Sequence, residues 1–216
     1  MVMSVMNPTS MRVKVCGIRD AQSLERCVEL GVDWVGFNFV PDSRRWIEPD
    51  VARGLIETLP EGGPVPVGIF QDQAPNNVLR VAKKTGVHVI QLHGSEPVPY
   101  CAAIGGPFEI WKALVGESVT LAEFEAFASV VDGFVIDGRT GGSGKEWAYA
   151  SAAPLFGAYD DLPVLLAGGL SAESVAAAAS AASASAVDVA SGVEDGGKMT
   201  PASVERFVRA ARGDQS

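Results

Sequence analysis

The sequence predicts a single (β/α)8 barrel of the α/β class. Short apolar runs alternate with amphipathic stretches from one end of the chain to the other. Those runs are nearly continuous in Val, Ile and Phe, as strands buried on both faces of a parallel sheet are. Eight such strand–helix pairs fit into 216 residues with no long linker or shift in composition, so the connections are lean and the sheet closes. A doubly wound open sheet is the alternative. No G-x-G-x-x-G follows the first run, which weakens its dinucleotide-binding form.

The elements follow in order. The first strand is read at 12–16 and its helix near 20–30, opened by Asp20 and closed at Gly31. The second strand, 34–39, leads to a helix near 49–59 that starts at Pro49 and Asp50. The third, 65–70, precedes a helix at 75–85 with Gly86 as its C-cap. The fourth pair is 87–92 with 96–104, and the fifth 108–113 with 119–128. The sixth pair is 133–137 with 147–157. The seventh strand, 163–167, feeds a helix at 171–184 with Ser171, Glu173 and Ser174 at its start. The Ala- and Ser-rich stretch 176–186 reads as a small-residue helix packed close to the barrel rather than as low complexity. The eighth strand, 186–190, is followed by a helix at 201–212 opened by Thr200-Pro201. Residues 1–11 hold four methionines but no basic start with a long apolar stretch, and are expected to form a disordered extension to a domain at 12–216.

Composition narrows the function. A formal net charge of -9 argues against nucleic acid and anionic membranes as partners. The three cysteines, Cys16, Cys27 and Cys101, are odd in number and widely spaced, which argues against a disulfide framework or a structural zinc site. No apolar run approaches a membrane span, and a cytoplasmic protein is expected.

Two glycine-bearing segments point to the ligand. Leu166-Ala167-Gly168-Gly169-Leu170 and Ala190-Ser191-Gly192-Val193-Glu194 each follow an apolar run and precede a helical stretch. Backbone N–H groups unshielded by side chains at the ends of the last two barrel strands make an anion cradle. The substrate is therefore expected to be a small phosphorylated molecule. Gly142, Ser143 and Gly144, in the loop after the sixth strand, are further phosphate donors or part of a lid.

Chemistry in a barrel sits at the C-terminal ends of the strands. Cys16 ends the first strand, with Arg19 and a helix start just beyond, a setting that lowers a thiol pKa; the alternative is a small buried hydrophobe. Asp137 ends the sixth strand and reads as a general acid or as a turn aspartate. Gln91 and His93 lie at the end of the fourth strand, with His93 lining the mouth; His88 is assigned a structural role. Lys112 is either a Schiff-base lysine of an aldolase-type barrel or a solvated or salt-bridged lysine. Barrel order places Cys16 and Asp137 on opposite sides of a sugar whose phosphate lies over strands seven and eight. Arg45, one strand further round, reaches the far end of the substrate.

Together these segments resemble the phosphoribosylanthranilate isomerase family. The motifs are Lys14-Val15-Cys16-Gly17-Ile18, Gly36-Phe37-Asn38-Phe39 with Ser43-Arg44-Arg45, Val67-Gly68-Ile69-Phe70, Gln91-Leu92-His93-Gly94, Asp137 with Gly141–Lys145, Leu166–Leu170, and Asp188–Glu194. Each alone is weak; their order along the chain is specific. The resemblance implies a cofactor-free Amadori rearrangement in tryptophan biosynthesis, with Asp137 as general acid and Cys16 as general base. It implies that Arg45 meets the anthranilate carboxylate and that Gln91, His93 and Asp188 bind substrate. Gly168, Gly169, Ser191 and Gly192 would hold the phosphate. The protein would act as a monomer or homodimer. Departures fall at the mouth: Val40-Pro41-Asp42 lacks the family's frequent aromatic residue, Gln71-Asp72-Gln73 follows Phe70, and Ala190 replaces a usual serine. The rivals are the related isomerase of histidine biosynthesis, a lyase of the indole-glycerol-phosphate synthase or aldolase type that uses Lys112, and a non-catalytic phosphate-ligand binder.

Overall fold

A computed structural model describes residues 11–115, 118–138, 148–158 and 162–214. The expectations for residues 1–10, and for Gly142, Ser143 and Gly144, lie outside the described residues. Eight parallel strands close into a barrel in chain order: β1 (Arg12–Cys16), β2 (Trp34–Asn38), β3 (Val65–Phe70), β4 (Val89–Leu92), β5 (Glu109–Val115), β6 (Gly133–Asp137), β7 (Val164–Leu166) and β8 (Ala186–Val189). β8 pairs with β1 through Arg12↔Ala186 to Val15↔Val189, so no edge is left open.

Side-chain alternation sorts each strand into two cores. Val67, Val89, Trp111, Val135, Leu165 and Ala186 fill the lumen, where Trp34 meets Trp111 edge to face at 5.4 Å. Their strand neighbours, such as Val15, Ile90, Phe134 and Val187, pack outward under the helices. Both faces are dry, which is why the strands read as unbroken apolar runs.

The helices are α1 (Ala21–Glu29), α2 (Pro49–Ile56), α3 (Pro75–Thr85), α4 (Val98–Ala103), α5 (Leu121–Ala128), α6 (Ala153–Phe156), α7 (Val175–Ala182) and α8 (Pro201–Arg212). Asp20 caps α1 by accepting from the Ser23 N–H, and Gly86 ends α3 in the left-handed region. α2 is capped by the Glu48 carboxylate, which accepts from Asp50 and Val51 N–H, rather than by Asp50. α7 begins four residues after Ser171, because Ser171 to Ser174 form a hydrogen-bonded turn instead of a first helical turn. α6 is one turn preceded by a 3-10 turn at Tyr149–Ala152. A two-stranded hairpin, β9 (Glu194–Asp195) and β10 (Lys198–Met199), joins β8 to α8. The Ser203 hydroxyl at the start of α8 donates to the Val193 carbonyl at 2.5 Å and ties that segment down.

The structure decides between the alternatives for Lys112 and departs from the sequence reading at His88. Lys112 points out of the barrel, since its neighbours Trp111 and Ala113 are the lumen residues of β5. Its ammonium donates to Glu96 at 2.9 Å and to the carbonyls of Gly94 and Leu92, with almost no exposure. It is a buried structural cation, and the aldolase reading loses its lysine. His88 is exposed just before β4, because a residue one step outside the strand escapes the helix layer.

Candidate active site

A cavity of about 520 Å3 opens at the C-terminal mouth of the barrel. It brings together Cys16, Arg45, His93, Asp137, Gly168, Gly169, Asp188 and Ser191. Gln91 and Gly192 stand behind this lining rather than in it, among the described residues.

The base side is built on β1. Parity sends Lys14 and Cys16 into the lumen, and the Cys16 sulfur reaches the cavity floor with 9% exposure. Gly36, opposite Cys16 on β2, makes the space: a Cβ there would stand 2.9 Å from Sγ. Lys14 is fully buried, and its ammonium donates to Asp188 on β8 at 2.9 Å. Burial pushes the Cys16 thiol pKa up; Lys14 pulls it down and Asp188 pushes it up again. The expected lowering by Arg19 is therefore not found. Arg19 donates instead to the Arg44 carbonyl, and Lys14 is the cation the thiol feels most. Lys14 itself is raised: desolvation disfavours its charge, but Asp188 and the thiol outweigh it.

The acid side is built on β6 and β4. Asp137 closes β6, and its Oδ2 lies 3.4 Å from His93 Nε2. His93 in turn meets the Gln91 side-chain amide through Nδ1 at 2.9 Å. Gln91 is wholly buried beneath it, and its Oε1 has no partner among the described residues. Gln91 thus orients His93 and does not line the cavity.

The anion side joins β7 to β8. Gly168 and Gly169 have φ of 87° and 73°, a region that favours glycine, and no described acceptor meets the N–H groups of Gly168, Gly169 or Leu170. A Cβ on Gly168 would press 2.7 Å from Asp137 Oδ1, and the Tyr149 hydroxyl holds the Gly168 carbonyl at 2.9 Å. Gly192 packs where any Cβ would collide with the Leu170 carbonyl. The two glycine segments are thereby fitted against each other, with Ser191 facing the cavity.

Arg45 approaches from the loop after β2, and Gly17 leaves room for it: a Cβ there would stand 2.7 Å from Arg45 Cδ. Glu194, nearly buried, accepts from Arg45 Nε at 2.7 Å and Nη2 at 3.0 Å, and from Arg44 Nη2 at 2.7 Å. Lys14, Glu194, Tyr149 and Gln71 belong to the site or its support but carry no role in the sequence reading. Lys14 was legible: a lysine two residues before Cys16 shares its face of an apolar strand. Tyr149 was not, because nothing local points it at Gly168.

A family model described as N-(5'phosphoribosyl)anthranilate (PRA) isomerase matches residues 13–210. An N-(5'-phosphoribosyl)anthranilate isomerase of Moorella thermoacetica is 38% identical, over 93% of this chain and 89% of the relative. The crystal structure of the phosphoribosyl anthranilate isomerase of Thermus thermophilus superposes with a TM-score of 0.84 at 33% identity, over 95% of this chain and 100% of that one. A phosphoribosyl anthranilate isomerase in complex with reduced 1-(o-carboxyphenylamino)-1-deoxyribulose 5-phosphate gives 0.78 at 32%, over 94% and 99%. Family model, relatives and barrel geometry agree: the chain belongs to the phosphoribosylanthranilate isomerase family.

Proposed function

We propose that this chain converts N-(5-phosphoribosyl)anthranilate to 1-(2-carboxyphenylamino)-1-deoxyribulose 5-phosphate, an aldose–ketose isomerisation in tryptophan biosynthesis. The observation that carries the reading is the convergence of a thiol from β1 and a carboxyl group from β6 on one cavity floored by the glycine segments. The phosphate lies against the N–H groups of Gly168, Gly169 and Ser191, with Gly142, Ser143 and Gly144 assigned to the same anion. Arg45 meets the anthranilate carboxylate at the other end.

Asp137 protonates the furanose ring oxygen and the C1–O bond breaks, leaving a protonated Schiff base at C1. Cys16, as thiolate, then takes the C2 proton, and the electron pair moves into an enolamine. Tautomerisation puts a proton on C1 and removes one from the C2 hydroxyl, so the substrate gains and loses protons equally. Solvent exchange returns Asp137 to the acid and Cys16 to the thiolate. His93 and Asp188 line the same space and contact the ribose chain, while Gln91 acts through His93. The mechanism calls on no cofactor, and every side chain it uses comes from one chain, so it holds for a monomer or a homodimer. Three free cysteines suit a reducing cytoplasm.

Cys16→Ala and Asp137→Asn test the assignment. Each is expected to cut kcat roughly 10²-fold or more with KM little changed, the usual size for a general acid or base. A variant that turns over like the parent in the fluorescence assay of freshly made substrate removes that residue from the mechanism.

A further inference from the structure

The Arg45–Glu194 pair sets how the far end of the substrate is recognised. Glu194 engages the side edge of the guanidinium, Nε and Nη2, with both carboxylate oxygens. Arg45 lines the cavity all the same. A planar guanidinium has five donors in a fixed fork, so a carboxylate on its side edge leaves the opposite end for a second anion. Arg44 adds a second cation to Glu194 Oε2, so the cluster of two arginines and one carboxylate keeps a single positive charge.

The position of Glu194 in the chain matters as much as its contacts. It stands three residues after Ser191 and two after Gly192, at the end of the 3-10 turn Ser191–Val193. That turn is clamped by Gly192 against the Leu170 carbonyl and by Ser203 on the Val193 carbonyl. The segment that meets the phosphate therefore also fixes the arginine that meets the carboxylate.

We propose that Glu194 is a positioning residue for Arg45, and that through it the loop after β8 selects ligands carrying a phosphate and a carboxylate at a fixed separation. The inference rests on the proposed function for the identity of the two anions. It makes Glu194 a specificity determinant that touches no substrate atom.

Titration calorimetry with the full chain tests it, using the reduced product analogue and the same compound lacking the carboxylate. Glu194→Gln keeps the shape but turns an NH2 toward the guanidinium. It is expected to raise the Kd of the carboxylate-bearing analogue about ten- to hundredfold, the size of a lost charge-assisted hydrogen bond. The Kd of the analogue without the carboxylate, and that of inorganic phosphate, should change less than about threefold on the same scale. In an Arg45→Ala background the substitution should add nothing further, because the two residues act as one unit. Unchanged binding of the carboxylate-bearing analogue overturns the proposal, as do equal losses for both analogues or additive losses in the double variant. If Glu194→Gln does not fold, Glu194→Asp draws the fork back by one methylene and must show the same selective loss. A parent protein that binds neither analogue refutes the functional reading itself, which separates the two failures.

Discussion

Gly36→Ala tests the active site without altering any group that handles a proton. The new Cβ would stand 2.9 Å from Cys16 Sγ, 3.0 Å from Ile69 Cδ1 and 3.1 Å from Cys16 Cα. Carbon atoms pack best at about 3.5–4.0 Å, so the sulfur and the β1 backbone must give by several tenths of an ångström. β1 cannot yield freely, because the N–H groups of Gly17 and Ile18 both donate to the Gly36 carbonyl at 2.9 Å. Overpacking of this kind costs about 1–3 kcal/mol. For a domain of this length that corresponds to a fall in Tm of roughly 2–12 °C. A displacement approaching 1 Å at the base can cost on the order of 10²-fold in rate, so kcat is expected to fall roughly 10- to 100-fold. Steady-state fluorescence kinetics and thermal denaturation by circular dichroism read the two effects separately. A variant with lowered Tm and parental kcat would refute the argument that the sulfur position limits turnover.

Four further outcomes follow from the same geometry. Lys112→Met leaves Glu96 charged and unpaired in a dry site, which is expected to cost about 3–5 kcal/mol in chemical denaturation. Burial alone would raise the Glu96 pKa, but Lys112 and hydrogen bonds from the Asp72 N–H and elsewhere hold it below its usual value. Its stabilisation is therefore present above the unfolded carboxyl pKa and lost as pH falls through the depressed one, and Glu96→Gln should flatten the acid limb of the stability curve. Asp188→Asn removes a charge that raises the Cys16 thiol and frees Lys14 to lower it, so the pH profile of iodoacetamide inactivation should move to lower pH; no shift, or one to higher pH, contradicts the coupling. Inorganic phosphate should inhibit competitively, and Gly192→Ala, whose Cβ meets the Leu170 carbonyl, should abolish that inhibition.

The barrel was legible because strands buried on both faces leave an unbroken apolar signal, and eight strand–helix pairs in a lean chain favour closure over a doubly wound open sheet. Element ends were less legible where turn chemistry competes with helix. Ser171 to Ser174 look like a helix start, yet their side chains close a turn on themselves. Lys112 stayed open between a Schiff-base and a salt-bridged lysine because strand position alone does not give the face; its neighbour Trp111 in the lumen does. Arg19 was credited with the thiol because it is near in sequence, whereas Lys14 is near in space by strand parity. Glu194 stood in a quoted motif, but its partner lies 149 residues away, and no local pattern announces such a pair.

The Lys14–Asp188 pair raises the question of why a barrel should keep charges in its lumen. A buried ion pair is weak evidence for stability, since apolar residues of similar volume often do as well. The same lumen is filled elsewhere by Val67, Val89, Val135 and Leu165, so this barrel can be packed without charge. The pair links β1 to β8, with Lys14 two residues before Cys16 and Asp188 three residues before Ser191. In the resting site the lysine is balanced by Asp188, and burial disfavours ionisation of the thiol while Lys14 favours it. When the thiol ionises, a cation is already at hand on the same strand face, and no solvent must reorganise to meet the new charge. The cost of burying Lys14 is met in the fold by Asp188, and its use falls in forming the thiolate that then takes the C2 proton.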